Sequence, residues 1–137
     1  MRILSNVLKI IKIRTLETWR QKIMLKDILN KFKELGILIK PFGVEEEELI
    51  KNNKECIIYN YSPVATSKRF ILTIRIIAPT LSKCLEVKEE MESKLLGIGD
   101  EVKVKNATFI EFEGGSSAFE DETKTTHLIF NINVVGK

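Results

Sequence analysis

Residues 70–96 read FILTIRIIAPTLSKCLEVKEEMESKLL, and within this stretch the period of the apolar residues changes from two to about three and a half. In the first part, Phe70, Leu72, Ile74 and Ile76 alternate with Ile71, Thr73, Arg75 and Ile77. A β-rich run of this kind predicts a strand over Arg69–Ala78, because successive side chains of a strand point to opposite faces. Apolar residues on both faces predict cover on both sides, by a helix and by another chain or segment. Pro79 ends the strand, and Thr80 is placed to cap the helix that follows. Leu81, Cys84, Val87, Met91 and Leu95 then form a helical stripe, Glu86, Glu89, Glu90 and Glu92 face water, and Gly97 stops the helix. Met91 reads as core filling.

Upstream of this unit, Cys56–Tyr61 is a second β-prone run. The small residues from Ser62 to Ser67 suit an antiparallel hairpin between the two strands. Before it, Leu25, Ile28, Leu29, Phe32 and Leu35 trace a helix face, with Gly36 where a C-terminal glycine belongs. A short apolar stretch, Ile37–Ile39, leads to a turn at Pro41-Phe42-Gly43 and an acidic run from Glu45 to Glu48, read as a solvated loop or helix start. Downstream, Ala107–Glu113 and Lys124–Val135 predict two more strands. Between them Gly114–Glu122 reads as a long, flexible, acidic loop carrying Phe119, and its removal is expected to leave a folded protein. The fold class is therefore α+β: a small mixed or antiparallel sheet of about four strands packed by two helices, in the order α-β-β-α-β-β, with a helical extension at the N-terminus.

Charge divides the chain unevenly. The 137 residues carry a net charge of +3. Residues 1–23 hold six Lys/Arg and one Glu, a balance of +5, which leaves −2 for residues 24–137. In the first segment Leu4, Val7, Leu8, Ile11, Leu16, Trp19 and Ile23 form an apolar stripe, with Lys9, Lys12, Arg20 and Lys22 mostly off it. Residues 1–23 thus read as a basic amphipathic extension, with docking on a partner, an upstream start codon and membrane contact as three accounts of it. Residues 24–137 read as one domain. Its mildly acidic balance argues against sequence-specific nucleic-acid binding. No apolar run reaches the ~18–20 residues that cross a bilayer, and Lys9, Lys12 and Arg14 interrupt the only stretch resembling a signal peptide.

The sequence offers no catalytic constellation. His127 is the single histidine, and Thr125 and Thr126 beside it supply no relay. Gly114-Gly115-Ser116-Ser117 lacks the lysine and the following helix of a phosphate-binding loop. Cys56 and Cys84 fit no metal or redox spacing and read as reduced core residues, as suits a cytoplasmic protein. No cofactor, metal or enzymatic activity is expected.

In order and spacing, these elements resemble the tail terminator (tail completion or minor capsid) proteins of long-tailed bacteriophages and phage-tail-like bacteriocins. The resemblance runs from about Met24 to Val135. It rests on the leading helix, on YNYSP (Tyr59–Pro63), on the strand–helix join quoted above, and on EFEGGSS (Glu111–Ser117) followed by ETKTTHLIFNINV (Glu122–Val134). It implies a ring, commonly of six subunits, that caps the tail tube, ends its polymerisation and docks the head connector or collar. Implied partners are copies of the chain itself, the tube and the sheath, first in the bacterial cytoplasm and then in the particle. A stopper or adaptor of the head–tail connector is the alternative within that class, and a nucleic-acid-binding α+β module the alternative outside it. Candidate interface residues are Ser62, Pro63, Lys68, Arg69 and Arg75 on one side of the sequence. On the other they are Gly114, Gly115, Ser116, Ser117, Phe119, Glu120, Asp121 and Glu122.

Overall fold

A computed structural model describes residues 19–43, 46–64 and 68–137, apart from the side chain of Glu47. The expectations for Leu4, Val7, Leu8, Ile11 and Leu16, for Glu45 and for Ala65–Ser67 lie outside the described residues. The alternating stretch forms a strand, Arg69–Ala78, at the centre of a sheet. Phe70, Leu72, Ile74 and Ile76 are almost completely buried, so this face is the core face. Thr80 caps the following helix, Leu81–Leu95, by accepting a hydrogen bond from Lys83 N at 3.2 Å. Cys84, Val87, Met91 and Leu95 are buried, whereas Leu81, expected in the same stripe, is largely exposed in the first turn.

In chain order the elements are α1 (residues 19–33), β1 (Leu38–Pro41), α2 (Glu46–Asn52), β2 (Cys56–Pro63), β3 (Arg69–Ala78), α3 (Leu81–Leu95), β4 (Ala107–Glu120) and β5 (Thr125–Gly136). Among the described residues the strands form one five-stranded mixed sheet in the order β1-β2-β3-β5-β4, with β1 parallel to β2 and the other pairs antiparallel. The fold is α+β. It has one strand more than expected because Leu38–Pro41, four residues long, pairs with Cys56–Tyr59. The acidic run yields α2, a helix of seven residues.

The core lies between one sheet face and the helices α1 and α3. Met24, Ile28 and Phe32 of α1 meet Phe70, Leu72, Met91, Phe130 and Ile132 in a single cluster. Each fully buried side chain of this size contributes roughly 1.5–3 kcal/mol of transfer free energy. On the opposite face α2 covers one corner, where Ile50 packs with Cys56, Ile58 and Ile77. The second cover expected for β3 therefore comes, at its Ile77 end, from the chain itself.

Two boundaries differ from expectation. The helix α1 runs without a break across residues 23 and 24, and Gln21 is buried in it at 5% exposure. The long loop expected over Gly114–Glu122 is mostly strand, since β4 continues to Glu120. The register steps from Glu113↔Asn131 to Ser116↔Ile129, so one extra residue is absorbed as a bulge. Gly114 (φ 66°) and Gly115 (φ 147°) occupy backbone conformations that side chains disfavour. Glycines that read as a loop signal serve a bulge inside a strand, and deleting Gly114–Glu122 would remove half of β4.

Candidate assembly surfaces

The interface residues expected from sequence fall into three places. Ser62 and Pro63 end β2, while Lys68 and Arg69 lead into β3; all four are exposed. This end of the sheet is fastened by Gly136 N donating to Lys68 O at 2.8 Å and Val64 N to Arg69 O at 3.0 Å. The first turns of α1 join it: Tyr61 Oη donates to Gln21 Oε1 at 2.8 Å, and Gln21 Nε2 reaches Arg69 O at 3.5 Å. Burial raises the Tyr61 pKa above its ordinary value, which keeps the hydroxyl a donor. Lys68, Arg69, Arg20 and Lys137 give this end a basic surface.

The turn between β4 and β5 lies at the other end. Arg69 pairs with Val135 and Ala78 with Thr126, nine residues along β3, which is roughly 30 Å at about 3.3 Å per residue. Here Phe119 is 59% exposed beside Glu120, Asp121 and Glu122. The only ion pair of Asp121 among the described residues, to Lys124 at 3.8 Å, is solvated and worth little. Lys54 Nζ donates to Thr123 O at 2.8 Å and ties the turn to the segment after α2. Gly114, Gly115, Ser116 and Ser117 lie between the two ends, exposed on β4 at the sheet edge.

Arg75 belongs to neither end. It lies on the sheet face beneath α2, with Nη1 3.7 Å from Glu46 Oε2, while Glu46 Oε1 is buried without a hydrogen-bond partner. Next to it, His127 Nε2 is 3.0 Å from Glu120 Oε2 and 3.2 Å from Thr125 Oγ1. Burial holds the His127 pKa below its ordinary value, against the pull of the Glu120 carboxylate and with a smaller contribution from Arg75. The arrangement seats α2 and the β4–β5 turn on the sheet. Its hydroxyl nearest the imidazole, on Thr125, is fully buried and therefore closed to a substrate.

Both cysteines are free and buried. Desolvation pushes the Cys56 thiol up to about 11, and the Cys84 Sγ donates to Thr126 O at 3.4 Å. Neither is poised as a nucleophile. Among the described residues no three His, Cys, Asp or Glu side chains are grouped to hold a metal ion, and no helix is long and apolar enough to cross a membrane.

Two apolar depressions escape a reading from sequence alone. One, of about 450 Å³, runs along β4 where Leu96, Val102, Phe109 and Phe112 are bordered by Glu92, Asp100 and Glu111. The other, of about 280 Å³, lies at the start of α1, where Trp19, Ile23 and Met24 are bordered by Arg20, Lys68 and Lys137. Apolar residues on both faces of Thr108–Phe112 were the only sequence signal for the first. The exposed Trp19 belongs to the N-terminal stripe that signals the second.

No protein-family model matches this chain, and no curated protein matches it in sequence.

Proposed function

We propose that this chain is a structural subunit of a phage tail or phage-tail-like particle. Copies of it form a ring that closes the tail tube, ends tube polymerisation and offers a docking face to the connector or collar. The observation that carries this reading beyond the sequence resemblance is the unlikeness of the two ends of the sheet. One end is basic and joined to α1 through Lys68, Arg69 and Gln21; the other is the acidic turn with an exposed Phe119. A cap stops a head-to-tail polymer by matching the last subunit on one side and presenting a different surface on the other. The acidic turn is the side we assign to the tube.

The test adds the purified chain to its polymerising tail-tube protein and measures tube length by electron microscopy. Tubes should stop growing and carry a terminal ring. A variant with Phe119→Ser, Asp121→Asn and Glu122→Gln should allow overlong tubes. Those three substitutions spare the Glu120–His127 contact and the bulge of β4, which a deletion would not. Tube lengths unaffected by the unmodified chain would sink the reading.

A further inference from the structure

Trp19 is the sole tryptophan of the chain, and at 61% exposure it stands out on a helix that buries its other side. Ile23, one turn on, is 40% exposed, so the same apolar face stays open to solvent. Arg20, Lys68 and Lys137 edge the depression beside them, and no Asp or Glu side chain lines it. The groove along β4 has the opposite make-up. Phe109, half exposed, and Phe112 line it, Glu92, Asp100 and Glu111 edge it, and it has no lysine or arginine in its lining. The two depressions share no lining residue.

We propose that copies of this chain associate head to tail, with the Trp19–Ile23 face of one copy seated in the acidic groove along β4 of the next. This rests on the proposed function in one respect, that the chain assembles with itself. A ring of more than two identical subunits needs a contact between two different patches, one per side of each subunit. These patches are matched in both polarity and charge. Tryptophan and arginine are both enriched among the residues that anchor protein interfaces. The groove volume of about 450 Å³ falls within the ~300–1,000 Å³ range that accepts bulky apolar groups. Docking there also covers residues 108–112 of β4, which is an edge strand of the sheet among the described residues. Opposite charges at the rims select this pairing over a like-with-like contact of either patch.

The experiment uses full-length protein and two charge-reversed variants. The first carries Arg20→Glu and Lys68→Glu; the second carries Glu92→Lys and Glu111→Lys, with Arg20, Lys68 and Glu111 exposed and Glu92 half-buried. Native mass spectrometry and sedimentation velocity follow each alone and mixed, over concentrations up to about 1 mM. The unmodified chain should assemble as concentration rises, and its tryptophan emission should shift to the blue as it does so. Each variant alone should be monomeric, because every contact would include one reversed patch. An equimolar mixture should assemble again in alternating order, since one contact is unmodified and the other pairs the two reversed patches, whose charges are opposite. Assembly of the mixture also shows that both variants fold. Trp19→Ala should weaken assembly at least about tenfold.

Variants that assemble like the unmodified chain, or a mixture that stays monomeric, would overturn the contact while leaving tube capping to its own assay. A strict monomer throughout the range would overturn it too. So would a blue-shifted tryptophan that does not respond to dilution, because Trp19 would then be covered by residues 1–18 of its own chain.

Discussion

His127 shows how a single side chain can make stability depend on pH. Its ring is 13% exposed and lies 3.0 Å from the Glu120 carboxylate, so burial and ion pairing act in opposite directions. Burial is the larger effect, and the pKa in the folded chain lies below the ordinary value of 6.5. The unfolded chain therefore binds the proton first as the pH falls. Stability contributed by this site is whole above about pH 6.5 and declines as the pH drops from there toward the folded pKa. Carboxylates titrate mainly below about pH 5, which leaves the interval from about 7 to 5.5 to the histidine. Urea unfolding midpoints should fall across that interval for the unmodified chain and fall less for His127→Gln. Equal slopes in the two proteins would mean that the Glu120 contact cancels the cost of burial.

Among the elements, α1 carries a consequence for where the domain begins. A start at Met24 follows from the repeat of Leu25, Ile28, Leu29 and Phe32, but the buried line in the structure is Gln21, Met24, Ile28 and Phe32. Gln21 belongs to it through a hydrogen bond, a link to residue 61 that apolar spacing has no means of showing. Tyr61→Phe removes the hydrogen bond to Gln21 Oε1, so it should lower unfolding free energy by about 0.5–1.5 kcal/mol. A chain beginning at Met24 should lose at least as much in the same urea titration. Losses below about 0.3 kcal/mol in both would show that residues 19–23 add nothing to the domain. The elements that were legible in the sequence are those whose signals are local. The strand Arg69–Ala78 and the helix Leu81–Leu95 announce themselves by period, a proline and the Thr80 cap. Short elements were only partly legible: Leu38–Pro41 is a strand only because Cys56–Tyr59 lies beside it, and Glu46–Asn52, where the acidic run read as a loop or a helix start, is a helix that Ile50 anchors to Ile58 and Ile77. Gly114-Gly115 was ambiguous in principle, since a loop and a bulge use glycine for the same backbone freedom. Most candidate interface residues were legible as surface, Arg75 beneath α2 being the exception, whereas the separation of Ser62, Pro63, Lys68 and Arg69 from Phe119, Glu120, Asp121 and Glu122 follows from strand register. The groove along β4 was hidden because three separate segments build it.

At the scale of the whole molecule the notable quantity is charge asymmetry, with +5 in residues 1–23 and −2 in the remainder. Net charge alone, at +3, would make copies of the chain repel one another weakly. Among the described residues, Arg20, Lys68 and Lys137 beside α1 and the carboxylates along β4 attract when copies meet in the head-to-tail orientation. Such attraction acts mostly on the approach, because the rims are solvated and the apolar centre makes contact only after docking. Screening then gives a kinetic signature. The Debye length is about 14 Å at 0.05 M salt and near 4 Å at 0.5 M, following its scaling from about 10 Å at 0.1 M. Over that range the association rate should fall on the order of tenfold, the low end of what electrostatic steering supplies. The dissociation rate, set by Trp19, Ile23 and Phe109, should change less than about threefold. Stopped-flow measurement of the single tryptophan's emission reads both rates. An association rate indifferent to salt would leave an apolar contact with no charge selection, and one that rises with salt would mean that patches of like charge meet.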